Sequence, residues 1–243
     1  MMIGIVGCRR HPAPVAQDPG AQPGAVMIVS NGAISGTILF KGHAPSATID
    51  TSMDPACSQG GKPTLPTEQF VVKDGKLANV FLYVKSGPPN AMMGGNVTAQ
   101  SVVMDQKNCR YVPHMVAVAA GGYVEFRNSD PTMHNVHTNP TDVGNETIDI
   151  SEGPRSQPQL KQFVKPELMI PVRCNNHPWM NAFINVSATP FFAVSDAEGH
   201  FDLRGLPPGD YVIGAVHEKM GEKTMNVTVL PHATAAVEFS FAQ

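Results

Sequence analysis

Three features of the sequence predict an all-β protein. It holds 22 glycines and 22 prolines in 243 residues. Its β-branched or alternating stretches are short and are separated by Gly, Pro, Asn and Asp, and no long stretch repeats its apolar residues with the 3.6-residue period of a helix. The length suits one large or two to three small domains. Only 15% of the residues are charged, against roughly 25% in a typical domain. A formal charge of −3 without any Lys/Arg cluster argues against a nucleic-acid partner, because phosphate binding needs concentrated positive charge. No apolar run approaches the length of a membrane span.

Taken in order, residues 1–25 read as a leader-like start and a flexible tether. Ile5-Val6-Gly7-Cys8 resembles the lipobox of bacterial lipoproteins, which implies a lipid on Cys8 and a membrane tether. As written the leader is short and lacks a charged n-region, so either the true start lies upstream or the match is accidental. The Pro-, Gly- and Gln-rich stretch His11 to Gly24 is poor core material and reads as a spacer. Residues 26–98 read as a small N-terminal β unit. Its strands are Ala33-Ile-Ser-Gly-Thr-Ile-Leu-Phe-Lys-Gly and the segment from Gln69 to Val84, the latter folded back at an Asp74-Gly75 turn. Pro88 to Gly95 reads as a loop.

Residues 99–188 carry the chemistry. Strand-like segments run from Ser101 to Asp105, Tyr111 to Val118 and Gly122 to Asn128, followed by His134-Asn135 and later by Cys174-Asn-Asn-His-Pro-Trp-Met. Between His137 and Phe163 lies a polar stretch with few apolar anchors, read as a surface excursion near the site. A soft thiolate at Cys174, imidazoles at His134 and His177 and a weak thioether at Met180 form the donor set of a trigonal electron-transfer copper. In that set sulfur favours Cu(I) and imidazole tolerates both Cu(I) and Cu(II). Cys174 and Met180 can also be read as packed core, but that leaves His134 beside Asn135 unexplained. His137 is three residues from His134, so in an extended strand the two face opposite ways. His137 is then a rim or surface residue, and Met133 likewise alternates away.

These residues resemble the cupredoxins, the plastocyanin, azurin and amicyanin family, and Cys-x-x-His-x-x-Met with Pro after the His looks most like amicyanin. The resemblance covers roughly residues 99–188. It implies a Greek-key β-sandwich flanked by small β-sandwich domains, with His134, Cys174, His177 and Met180 as copper ligands and Asn135 tying the ligand loops together. It also implies that His177 lies nearest the surface as the electron's exit, inside an apolar docking patch. Trp179 belongs to that patch or acts as a lid over the core.

Of the remaining cysteines, Cys57 and Cys109 are left as a pair. An oxidising compartment would join them, although sequence does not settle the pairing and two separate buried thiols remain the alternative. Residues 189–243 resemble the carboxypeptidase regulatory-like, transthyretin-type β-sandwich, through Asp196-Ala-Glu-Gly-His-Phe and Leu206-Pro-Pro-Gly-Asp-Tyr. Those motifs carry fold rather than chemistry. His217-Glu218 is either an interface pair toward the copper domain or an ordinary exposed pair.

The expected protein is thus a periplasmic or cell-surface copper electron carrier, not an enzyme, since no catalytic constellation or phosphate loop is present. Its expected partner is a redox protein such as a cytochrome or dehydrogenase. The alternatives are a copper-binding or delivery protein and a structural, adhesion-type β protein.

Overall fold

The computed structural model describes residues 31–58, 63–93, 101–141 and 143–243. The Cys8 motif and the tether from His11 to Gly24 lie outside these residues. The fold is all-β: among the described residues the helical elements are a 3-10 turn at Pro55–Cys57 and one α-turn at Pro89–Met92. That α-turn stands where a plain loop was expected. No described helix is long and apolar enough to cross a membrane.

Two sandwiches share the chain, and the first is built from both of its ends. Strand Gly32–Lys41 alternates buried and half-buried residues. It pairs antiparallel with His200–Leu206 and parallel, over nine residues, with Thr234–Ala242. Gly36 permits this crowding, because a Cβ there would meet the Val237 carbonyl at 2.4 Å and the Phe201 ring at 2.8 Å. In the facing sheet, Phe81–Ser86 lies between Phe192–Val194 and Gly209–His217, with Gly221–Val229 beyond. Ile34, Ile38, Leu82, Phe201, Tyr211, Ile213 and Phe239 fill one common core. The expected flanking units, residues 26–98 and 189–243, are therefore the two halves of one sandwich rather than separate sandwiches. The physical reason is edge coverage. The nearby strands Val72–Lys73 and Lys76–Leu77 are two residues long and cannot flank a ten-residue strand, so the C-terminal strands do so. The Asp74-Gly75 turn is where the sequence puts it, with both residues at positive φ (51° and 71°), the geometry of a two-residue hairpin.

The second sandwich is inserted between these halves. One sheet orders Gln159–Gln162, Tyr123–Asn128, Ser101–Gln106 and Tyr111–Val112. The other orders Asp149–Glu152, His134–Thr138, Glu167–Arg173, Asn181–Ser187 and Met115–Ala119. Met104, Val118, Phe126, Val136, Ile170 and Ile184 are completely buried between them. The stretch from His137 to Phe163 is not a bare excursion. It supplies Asp149–Glu152 and Gln159–Gln162, each the outermost strand of its sheet, which explains their meagre apolar content.

Two features join the sandwiches. The small ribbon Thr48–Asp50 with Thr64–Pro66 reaches from the first to the second and is held there by a disulfide between Cys57 and Cys109. On another side, His114 Nε2 lies 2.7 Å from Glu218 Oε1, with both side chains nearly fully buried. Glu218 is thus an interface residue, while His217 turns into the first core between Phe70 and Phe241. Burial pushes the His217 imidazole down to a pKa of about 4.

Candidate metal centre

The Cys174-to-Met180 turn follows strand Glu167–Arg173 and precedes Asn181–Ser187, two antiparallel neighbours. The turn closes on itself, because the Met180 N–H donates to the His177 carbonyl and the Cys174 N–H to the Met180 carbonyl. Such a closed turn brings the Cys174 and His177 side chains together. His134 enters from the adjacent strand His134–Thr138.

Three donors converge there. His134 Nδ1 and His177 Nδ1 are 2.9 Å apart, Cys174 Sγ is 3.6 Å from His177 Nδ1, and all three ligand atoms lie within 4.8 Å of one another. Met180 is buried (1% exposed) in the same core cluster as Cys174. His137 turns outward, with Nδ1 3.2 Å from Asn175 Oδ1, and Met133 is 52% exposed. Both positions follow from strand alternation about His134.

Asn135 ties the loops together. Its backbone N–H donates to Cys174 Sγ at 3.3 Å and its Oδ1 accepts from the Asn175 N–H at 3.2 Å. Its Nδ2 donates to Asp149 Oδ1 and to the Ile150 carbonyl. Trp179 is half-buried against the core, packs tilted against His177 with ring centroids 5.1 Å apart and donates its indole N–H to the Cys109 carbonyl. It sits as a lid beside the imidazole.

The outer nitrogens of both histidines are taken by aspartates. His134 Nε2–H donates to Asp130 Oδ2 at 2.9 Å, and Asp130 also accepts from the Asn108 and Cys109 backbone N–H groups. His177 Nε2–H donates to Asp54 Oδ2, again at 2.9 Å. Asp54 comes from the ribbon outside this sandwich, and His177 is consequently only 4% exposed. The expected surface ligand is instead covered. Sequence reasoning missed both aspartates. Asp130 stands four residues before His134, and Asp54 three before Cys57, so the only pointer to Asp54 was the disulfide.

This pattern settles the tautomers by hydrogen bonding: a proton on each Nε2 leaves each Nδ1 with a lone pair aimed inward. Two lone pairs 2.9 Å apart, with a thiol beside them, need a cation or a shared proton between them. Without a metal the proton stays. Burial disfavours charge on His134, but the Asp130 carboxylate and Cys174 overcome it and hold the imidazole up at about 9. For Cys174 burial pushes upward, yet hydrogen bonds from His134, the Asn135 N–H and His177 bring the thiol down to about 7. Thiolate is therefore accessible near neutrality, and metal binding would release the His134 proton. Thiolate, two imidazoles and a neighbouring thioether fit copper in both oxidation states. Among the described residues, the two other convergent clusters contain Cys57 or Cys109. Their sulfurs are consumed by the disulfide.

Another buried carboxylate lies nearby. Glu152 pairs opposite His134 across the strands and accepts from the Gln106 amide, and burial raises its pKa.

No family model matches the chain, and no curated protein does. Among solved structures it is similar to amicyanin from Paracoccus versutus, at 24% identity over 43% of this chain and 96% of that one, with a TM-score of 0.32. A purple cupredoxin from Nitrosopumilus maritimus matches at 20% identity over 36% of this chain and 99% of that one, TM-score 0.30. A copper-containing nitrite reductase from Thermus scotoductus SA-01 matches at 20% identity over 40% of this chain, TM-score 0.32. This chain spans 26% of that reductase's length.

Proposed function

We propose that the protein is an exported electron carrier with a type 1 copper centre held by His134, Cys174, His177 and Met180. The observation that carries this reading is the inward convergence of the two Nδ1 atoms and the Cys174 sulfur while aspartates hold both outer nitrogens. Copper, when bound, supplies the one-electron couple. The chain's own residues keep one geometry for both oxidation states. Asn135 fixes the distance between the ligand loops, the disulfide-held ribbon braces His177, and Trp179 shields the imidazole from water. A site that does not rearrange lets an electron arrive or leave with little reorganisation.

The compartment, a lipid on Cys8 and a cytochrome or dehydrogenase partner belong to the same proposal. They are supported by the leader-like motif and by a disulfide, which persists in oxidising surroundings. The carrier role, rather than an enzymatic one, is part of the same proposal.

Copper loading tests the reading. The wild-type Cu(II) protein should show an intense visible thiolate-to-copper band, and Cys174→Ser should abolish it. An unchanged spectrum in the variant would eliminate the centre.

A delivery role has one observation in its favour. Met53 (76% exposed) and Met133 (52% exposed) line a shallow opening together with Asp54, Asn176 and His177, and thioethers select Cu(I). Repeated reduction and reoxidation separates the roles: a carrier keeps its copper through the cycle, whereas a delivery protein gives up Cu(I) to a chelator.

A further inference from the structure

Asp54 stands outside the sandwich that supplies the metal donors, yet it completes the site. Its two oxygens have separate tasks. Oδ1 accepts from the Ala56 N–H at 2.8 Å and caps the 3-10 turn Pro55–Cys57. Oδ2 is directed the other way, accepting from His177 Nε2–H and from the Thr132 hydroxyl, both at 2.9 Å. A residue needed only as a turn cap would leave Oδ2 to solvent. Here Thr132, from the loop before His134, orients it onto the imidazole instead.

The arrangement mirrors the one on His134. Asp130 takes His134 Nε2 and is itself held by the Cys109 N–H, while Asp54 lies three residues before Cys57. The Cys57–Cys109 disulfide therefore ties the segment that carries Asp54 to the segment whose backbone N–H groups hold Asp130, so one bond links the supports of both carboxylates that bracket the histidine pair. Cys57 Sγ falls within 4.8 Å of ligand atoms of both Asp54 and His177, and Cys109 Sγ does the same for Asp130 and His134.

We propose that Asp54 is a positioning residue that fixes the His177 tautomer and, through its carboxylate charge, shifts the centre's preference from Cu(I) toward Cu(II). The redox half of this proposal rests on the copper reading above. A carboxylate accepting a ligand imidazole's outer N–H makes the ring a stronger donor, and such partners are worth about 10–100-fold in metal affinity. The added negative charge favours the more highly charged ion, so the effect falls mainly on Cu(II). Desolvation strengthens it, since His177 is buried.

The test compares the full-length wild type with Asp54→Asn, Thr132→Val and Asp50→Asn. Asn at position 54 can still cap the turn through its carbonyl oxygen but carries no charge. Asp50 lies exposed on the same ribbon, accepting from the Ser52 N–H, and serves as the charge control. In redox titration of the copper-loaded proteins, Asp54→Asn should keep the visible band and lower the Cu(II)-to-Cu(I) affinity ratio by at least tenfold. That is a rise of about 59 mV per tenfold for one electron. Thr132→Val should move the same way by less, and Asp50→Asn should not move. An unchanged potential in Asp54→Asn, or an equal shift in Asp50→Asn, overturns the proposal.

A second readout needs no metal. Nitrogen NMR of the metal-free protein should show His177 as the Nε2–H tautomer in wild type and lose that fixed state in Asp54→Asn. A wild-type His177 protonated on Nδ1 alone overturns the positioning role. A wild type without the thiolate band overturns the copper reading and the redox half with it, while the tautomer result stands or falls separately.

Discussion

At the scale of single residues, strand alternation decides which histidine matters. His134 is fully buried and His137 faces Asn175 at the surface. His134→Ala should therefore cost at least about tenfold in copper retention, while His137→Ala should change it little. Copper stoichiometry after dialysis against a weak chelator checks this, and the reverse order would mean the ligand is misassigned by three residues. This distinction was legible in the sequence, because a period of two needs only local information. Asp54 was not. Its contact with His177 spans 123 positions, and an Asp before Pro reads locally as any turn cap.

Among elements, the ribbon of Thr48–Asp50 with Thr64–Pro66 acts on the centre through the turn at Pro55–Cys57, which one disulfide holds in place. Replacing Cys57 and Cys109 together by Ala should cost roughly 4 kcal/mol in the loop-entropy model, for a sequence separation of 52. The visible band should survive, because the four proposed ligands come from other elements. Denaturant unfolding beside the absorption spectrum measures both, and loss of the band with stability unchanged would contradict the division of labour. Legibility varied here by burial. The Asp74-Gly75 hairpin is announced by its turn residues, whereas Asp149–Glu152 and Gln159–Gln162 were hidden because outermost strands need few apolar residues.

At the scale of the molecule, composition and turn density foretold the all-β class, but the pairing of the chain's two ends was invisible. Strand patterns show that a face is buried and not what covers it. A chain ended after Ser187 tests the arrangement. It would leave Gly32–Lys41 without either of its long neighbours and uncover Ile34, Ile38 and Phe40, each worth about 1.5–3 kcal/mol when buried. Such a fragment should bind a hydrophobic dye and be cleaved by protease between residues 32 and 86. A dye-silent, resistant N-terminal region would restore the consecutive-domain picture. The parallel pairing of Ala33 with Thr234 also sets a timetable for biosynthesis. At about 5–20 residues per second, the first strand waits on the order of 10–40 s after leaving the ribosome before its partner exists. The inserted sandwich has all its strands in hand well before then. Until Thr234–Ala242 is available to pair, strand Gly32–Lys41 carries an apolar edge that a holding chaperone would recognise.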